Sequence, residues 1–270
     1  MRFLRRVIYY CGSLFRIMFN FKRWPSALFS ILVKDDQKTH LVTLRRPLLK
    51  FITRGGMDVW SIKETILDGF YTRYGVPIRD GWNVLDVGAG IGDFCIYAAY
   101  GNPNTTVYAY EPFLESYKLL VRNINLNGFE KIFPVNSAIW GSDGTLQLDT
   151  SSGEPLKIMS LDAGEEEDIS KFVKVKAISL AQVLAQHEID MLDIMKLDCE
   201  GAEYEVLMNS SVEVFNRIDR IIMEYHDIDE NHHHDKLALF LEGMGYKVSC
   251  YDNFVHRDIG YLFAQRMDIY

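Results

Sequence analysis

Three observations in the 270-residue sequence predict an α/β chain built on a doubly wound, mostly parallel sheet. Strand-like and helix-like runs alternate from Asn83 to Glu224, a pattern that implies parallel strands with helices on both faces. The apolar run Val84-Leu85-Asp86-Val87 leads straight into the glycine-rich turn Gly88-Ala89-Gly90-Ile91-Gly92-Asp93. Asp86, Glu111, Asp198 and Glu224 each fall at the end of a separate strand-like run, and sheets of this kind bind ligands beyond the carboxyl ends of their strands.

Each element has its own sequence signal. At 100° per residue, Phe3, Leu4, Val7, Ile8, Cys11, Leu14, Phe15 and Met18 share one face of a helix over residues 2–20. Arg2, Arg5, Arg6, Ser13, Arg16 and Asn20 share the other. A second apolar run, Trp24 to Val33, follows. Helical periodicity returns over Ile62–Tyr74, through Ile66, Phe70 and Tyr71. The first strand of the alternation is Asn83–Val87, and the turn after it opens a helix through Phe94–Ala99. Thr106–Tyr110 is the next strand, followed by a helix from Phe113 to Asn125 with Leu119, Leu120 and Ile124 inward. Ile132–Asn136 is a short strand weakened by Pro134, which has no N–H for a ladder. Residues 141–180 alternate with period two at Thr145–Leu148 and Val173–Lys176, which predicts an antiparallel excursion. A helix at 179–187 leads to the strand Met191–Asp198, a helix from Glu203, and the strand Arg220–Glu224. Gly245–Tyr251 and Ile259–Ala264 make a final pair, for seven strands in the main alternation.

Composition is that of a globular chain able to bury a full core, with 48% apolar and 24% charged residues. The charge is divided unevenly. Residues 1–54 hold twelve Lys or Arg against only Asp35 and Asp36, while the remainder holds 17 basic and 35 acidic residues. The two parts therefore meet different surroundings, or each other. The N-terminal helix is too charged and too short in apolar run to span a bilayer, and it has no small-residue cleavage site. Two readings stay open: a helix lying on an anionic membrane surface through residues 2–20, or one packing on the acidic domain or a sister subunit as part of a homo-oligomer. No nucleic-acid reader motif accompanies the basic residues, so no nucleic acid is expected. Cys11, Cys95, Cys199 and Cys250 are scattered without metal spacing and read as reduced, mostly buried thiols, which suits a cytoplasmic protein, peripheral on the inner membrane face if the helix binds lipid.

The glycine spacing narrows the ligand. A dinucleotide turn places its third glycine where this chain has Asp93, and an acid there sits badly beside a pyrophosphate. Asp86 adds a second negative charge. Glu111, roughly 20 residues beyond the turn, is placed for a ribose diol. The set suits S-adenosylmethionine, a nucleoside with an ammonium and a sulfonium and no phosphate. A bound dinucleotide and a turn with no ligand are the competing readings.

A second acidic group, Asp198, Glu200, Glu203, Glu224, His226 and Asp227, comes from two adjacent strand ends. Acids converging on one rim need an offset: Lys196, the cofactor's positive charge, or a divalent metal held by Asp198 and Glu224. One of Asp198, Glu200 or His226 is placed to act as general base, while Glu203 reads equally well as the outer face of its helix. His232-His233-His234 reads as a solvated turn or helix cap.

Several of these segments resemble the FkbM-type S-adenosylmethionine-dependent methyltransferases. They are Val84–Asp93, Tyr110-Glu111-Pro112, Asn136-Ser137-Ala138, Met195–Leu207 and Glu224-Tyr225-His226. The upstream Thr53–Asp58 and Asp68–Tyr71 also look like that family's lead-in. The resemblance covers roughly residues 50 to 226. It implies the Rossmann-like sheet of class I methyltransferases with an antiparallel final strand, in a domain over 51–270 behind an appendage over 1–50. It implies O-methylation, often of sugar hydroxyls on glycans, glycolipids or secondary metabolites. It further implies that Asp86, Gly88, Ala89 and Gly90 hold the methionine part, that Glu111 and Pro112 meet the ribose, and that Ser137 and Ala138 flank the adenine. Asp198, Glu200, Glu224 and His226 would face the acceptor. The acceptor pocket itself falls to residues 34–75 and 141–180. The alternatives are a nicotinamide oxidoreductase and a non-catalytic, membrane-associated glycan-binding module on the same fold.

Overall fold

The computed structural model describes residues 2–32, 39–149, 157–159, 172–253 and 255–267. The chain begins with helices α1 (Arg2–Asn20) and α2 (Trp24–Leu32) and the strand pair β1 (His40–Thr43) and β2 (Lys50–Thr53). Helix α3 (Gly56–Ile62) runs into a π-helical turn, Lys63–Asp68, and α4 (Phe70–Tyr74). Alternation then starts with β3 (Asn83–Val87), α5 (Asp93–Ala99), β4 (Thr106–Tyr110), α6 (Leu114–Asn127) and β5 (Ile132–Val135). The excursion holds β6 (Ala138–Ile139), β7 (Gly144–Asp149), β8 (Lys157–Met159) and β9 (Phe172–Ile178). It is followed by α7 (Leu180–Gln186), β10 (Ile194–Leu197), α8 (Glu203–Met208), α9 (Val212–Phe215) and β11 (Arg220–His226). The chain closes with α10 (His234–Gly243), β12 (Tyr246–Asp252) and β13 (Ile259–Arg266).

Seven strands form the central sheet in the order β12-β13-β11-β10-β3-β4-β5. The pairs from β11 to β5 are parallel, and β13 inserts antiparallel between β11 and β12. This is the Rossmann-like, doubly wound sheet with an antiparallel final strand that the sequence predicts. Strands β3 and β10 lie at its middle and are buried on both faces, which explains their near-continuous apolar runs. One apolar cluster, with Val84, Ile96, Leu120 and Ile222, fills one face. Another, with Leu85, Met195, Leu207 and Met223, fills the other. Pro134 sits in β5 at the sheet edge, where a missing N–H does least harm. The excursion is a separate four-stranded sheet, β6-β9-β7-β8, antiparallel except for the short β6–β9 pair.

The single helix expected over Ile62–Tyr74 is instead three pieces. The α-helix ends at Ile62, the π-turn carries the chain to Asp68, and Gly69 takes a left-handed φ of 65° that redirects it into α4. Two of the four cysteines, Cys11 and Cys250, are exposed rather than buried.

The β1–β2 pair has no counterpart in the sequence reading. It is held to α6 by side chains that act as a neighbouring strand. Asn123 accepts the Ile52 N–H at 2.7 Å and donates to the carbonyls of Ile52 and Ile91 at 3.2 and 2.9 Å. Asn127 repeats the exchange with Lys50 at the solvent edge. Asn123 is fully buried, so Asn123→Ala strands polar groups away from water. Chemical denaturation should show a loss of about 1–3 kcal/mol, with Asn127→Ala losing less because water can replace its amide.

Candidate functional site

A cleft of about 240 Å³ opens at the carboxyl ends of β3, β4 and β10. Gly88, Gly90, Glu111, Pro112 and Ala138 line one side, and Lys196, Asp198, Cys199 and Glu200 line another. Arg54, Asp58, Ser61 and Tyr71 close it from the chain segment before β3, and Leu148 reaches it from the excursion. Both segments assigned to the acceptor pocket, 34–75 and 141–180, thus contribute to the cleft; residues 34–38, 150–156 and 160–171 within them lie outside the described residues.

The turn after β3 is built for close approach. Gly88 has φ 72°, and a Cβ there would sit 1.9 Å from the Asp198 carbonyl oxygen. Gly90 has φ 53° with open space where its Cβ would point. Glu111 reaches back from the end of β4. Its two carboxylate oxygens accept the N–H groups of Gly90 and Phe113, each at 2.8 Å. Burial pushes its pKa up to about 7 against those two hydrogen bonds.

Asp86 is placed differently from its expected role beside the methionine part. It is fully buried under the turn and does not line the cleft. Its partner is Lys196 on the next strand, Nζ to Oδ1 at 3.1 Å, which also donates to the Gly88 carbonyl at 2.8 Å and lies 3.9 Å from Asp198. Burial pushes Asp86 up to about 6 while the lysine pulls it down. Ala89 and Ser137 are likewise buried behind the cleft wall. Asp93 is buried at the start of α5 and accepts from Ser61 at 3.0 Å and Thr65 at 2.5 Å.

Asp198 faces the cleft and accepts the Tyr71 hydroxyl at 2.7 Å. Burial, and then the charge of Asp198, raise the Tyr71 pKa far above its ordinary value, so Tyr71 remains a phenol donor. Glu200, beside Asp198, has a left-handed φ of 54°, an uncommon conformation for a residue with a side chain. Glu224 and His226 lie behind the cleft, with their ligand atoms within 4.8 Å of that of Asp198. Burial and the nearby Asp198 raise Glu224 well above the carboxylate range. These three groups could hold a divalent cation, which would have to displace the protons of Glu224 and His226.

His226 is not placed as a base. Burial by itself lowers its pKa, but the hydrogen bond and charge of Glu203, with Glu200 and Asp198, raise it to about 10. Glu203 points inward rather than forming the outer face of α8. It is fully buried, takes the Cys199 N–H at 3.0 Å and pairs with His226 Nδ1 at 3.2 Å. Of the triple histidine, His233 is the N-cap of α10, as expected of a cap. The same turn brings His233 and His234 to Asp227, with His234 Nδ1 2.8 Å from its Oδ2.

The residues missing from the sequence-level site are Tyr71, Arg54, Asp58, Ser61 and Lys196 as a clamp. All but Lys196 come from the segment before β3. In the sequence, periodicity marks Tyr71 only as a helix residue, and Thr53–Asp58 is marked only by the family resemblance.

The family model described as "Methyltransferase FkbM domain" matches residues 86–248. The 31-O-demethyl-FK506 methyltransferase FkbM of Streptomyces tacrolimicus is 26% identical over 192 residues, 62% of this chain and 74% of its own. Methyltransferase sdnD of Sordaria araneosa is 27% identical over 189 residues, 60% of this chain and 72% of its own. A solved FkbM methyltransferase of Methylobacillus flagellatus aligns with 77% of this chain and 54% of its own at 12% identity and a TM-score of 0.47. The chain belongs to the FkbM family of S-adenosylmethionine-dependent methyltransferases. The nicotinamide and non-catalytic alternatives fall with that assignment.

His226 gives a pH test. Its folded pKa of about 10 lies above the ordinary 6.5, so its pairing stabilises fully below pH 6.5 and is lost as pH rises through 10. His226→Gln should therefore destabilise by a few kcal/mol near neutral pH, on the order expected for a shift of this size. The gap between wild type and variant in denaturation free energy should close as pH approaches 10.

Proposed function

We propose that this chain transfers a methyl group to a hydroxyl oxygen, with a sugar in a glycan, glycolipid or secondary metabolite as the favoured acceptor. The observation that carries the reading is Asp198, which faces the cleft, receives a hydrogen bond from Tyr71 and lies beside the buried Lys196. The relative from Streptomyces tacrolimicus is named for an O-demethyl substrate, which favours an oxygen acceptor. The polar wall of Arg54, Asp58, Ser61 and Glu200 suits a ligand rich in hydroxyls.

The cleft fits the cofactor on two counts. The uncovered backbone at Gly90 leaves room for a ligand against the turn, and the Glu111 carboxylate keeps lone pairs free to accept ribose hydroxyls. A phosphate would meet Asp93, Glu111, Asp198 and Glu200, while the cleft cations Lys196 and Arg54 are already paired with Asp86 and Asp58. S-adenosylmethionine bound here would supply an electrophilic methyl group for transfer to the acceptor oxygen. Asp198 accepts the proton of the acceptor hydroxyl. Tyr71 fixes the carboxylate through its hydroxyl, and Lys196 holds the Asp198 loop against the turn. Glu111 orients the nucleoside. Positioning of this kind supplies several kcal/mol, and the base a further 10²–10⁴-fold, roughly.

Asp198→Asn should lower kcat by about 10²-fold or more and leave the Kd for S-adenosylmethionine within a few-fold of wild type, as read by turnover and calorimetry. Glu111→Ala should weaken S-adenosylmethionine by roughly ten- to a hundredfold, the loss of hydrogen bonds to a charged group. Retained turnover in Asp198→Asn removes it as the base.

A further inference from the structure

Helix α1 docks on the domain with a wide apolar stripe turned away from it. The side it turns to the domain is mixed: Ile17 is fully buried in the apolar core and Tyr9 and Tyr10 pack on Trp60, with polar contacts among them. The Tyr9 hydroxyl donates to Glu64 at 2.5 Å and accepts from Lys63 Nζ at 2.7 Å. Arg16 pairs with Asp68 and Arg6 donates to the Val255 carbonyl. Ser13 and Ile17 are buried in the same seam. The apolar side is left in water: Ile8 is 62% exposed, Phe15 59% and Phe19 72%, with Val7 and Leu14 also exposed beside them. In a helix these five share one stripe. A contiguous apolar surface of this kind on a soluble domain marks an interaction site.

Exposed cations lie at the end of the stripe. Lys22 and Arg23 follow directly after α1 and are exposed. Arg45 and Arg46, also exposed, are tied to the same end of the helix through Arg45, which donates to the carbonyls of Asn20 and Phe21. Arg6 lies toward the other end and Arg16 is half-exposed. No helix among the described residues is long and apolar enough to cross a membrane. We propose that the outer face of α1 is a docking surface for an anionic lipid bilayer, with Ile8, Phe15 and Phe19 inserting at the headgroup boundary and the flanking cations meeting lipid phosphates. A wide apolar stripe bordered by Lys and Arg is the arrangement such interfacial helices use, and each cation near the surface adds to binding until salt screens it. Because the inner seam already holds α1 on the domain, docking needs no unfolding or release of the helix. The inference is independent of the methyl acceptor.

The test is flotation of the full chain with phosphatidylcholine vesicles, with and without phosphatidylglycerol, at low and high salt. Wild type should float with the anionic vesicles only, and less so at high salt. The triple variant Ile8→Glu, Phe15→Glu, Phe19→Glu should bind at least about tenfold more weakly, since each change removes an inserting side chain. Lys22→Glu with Arg23→Glu should weaken binding and flatten its salt dependence. Unchanged thermal unfolding and S-adenosylmethionine binding show that the variants are folded. Equal flotation of wild type and triple variant, or none by the folded wild type, overturns the proposal. So does a vesicle-free dimer, seen by sedimentation, that the triple variant dissolves; the face would then join two copies of the chain.

Discussion

The site depends on one buried cation. Lys196 is central in the sheet, opposite Asp86 in the parallel register of β10 and β3, and its side chain is 4% exposed. From there Nζ reaches the Asp86 carboxylate, the Gly88 carbonyl and the neighbourhood of Asp198. A lone charge in this position would be very unfavourable, and removing one partner of a buried pair typically costs about 3–5 kcal/mol. The pair therefore fixes the ends of two strands relative to each other. That geometry presses the glycine turn against the Asp198 loop so closely that position 88 has no room for a side chain. The surface offered to the cofactor and the carboxylate offered to the acceptor are two ends of the same clamp.

The acids around the clamp do not act as equals. Glu203 spends its charge inward on the Cys199 N–H and on His226, which makes His226 a cation. Glu224 is pushed toward its neutral form by burial and by Asp198. Asp198 and Glu200 are the members of the set that face the cleft. Five acidic or basic groups on two strand ends thus resolve into an inner layer that balances charge and an outer layer that meets ligand. Perturbed pKa values gather in the inner layer, so perturbation alone would have pointed to the wrong residues.

The sheet was legible because its signals are local. Continuous apolar runs mark doubly buried strands, and β4 falls at Thr106–Tyr110 as the sequence reads. The strand-end acids follow from the same periodicity. Side-chain direction around the turns did not follow. Nothing in the sequence separates Asp86, facing Lys196 beneath the turn, from Glu111, facing the cleft at the end of the adjacent strand. Tyr71 could not be placed by spacing, because its position depends on the π-turn and on Gly69, which break what reads as one helix. Glu203 and His226 are 23 residues apart, and their pairing changes the chemical role of the histidine. The β1–β2 pair was invisible because it stands apart from the main sheet, with the outer edge of β2 bonded to two asparagine side chains on α6 rather than to a third strand.

Helix α1 is oriented by a mixed seam in which apolar packing of Ile17 and Tyr9 and buried polar contacts act together. Burying Ile8, Phe15 or Phe19 would each contribute about 1.5–3 kcal/mol, but half a revolution of the helix would expose Ile17, now fully buried, and part Tyr9 and Tyr10 from Trp60. That rotation would take the Tyr9 hydroxyl from Lys63 and Glu64, and Arg16 from Asp68. Lys63 is fully buried, with its ammonium 4.1 Å from the Tyr9 ring centre and 4.3 Å from that of Trp60. Asp68 is 4% exposed at its side chain. Charges this deep need several partners at once to offset their lost hydration, and an apolar helix face provides none. The buried Lys63–Asp68 pair in the π-turn therefore favours the face of α1 that carries Tyr9 and Arg16. The same π-turn joins α3 and α4, which supply Asp58, Ser61 and Tyr71 to the cleft. The orientation of the N-terminal helix and the wall of the cleft thus meet at one buried ion pair, beside the apolar packing of Ile17.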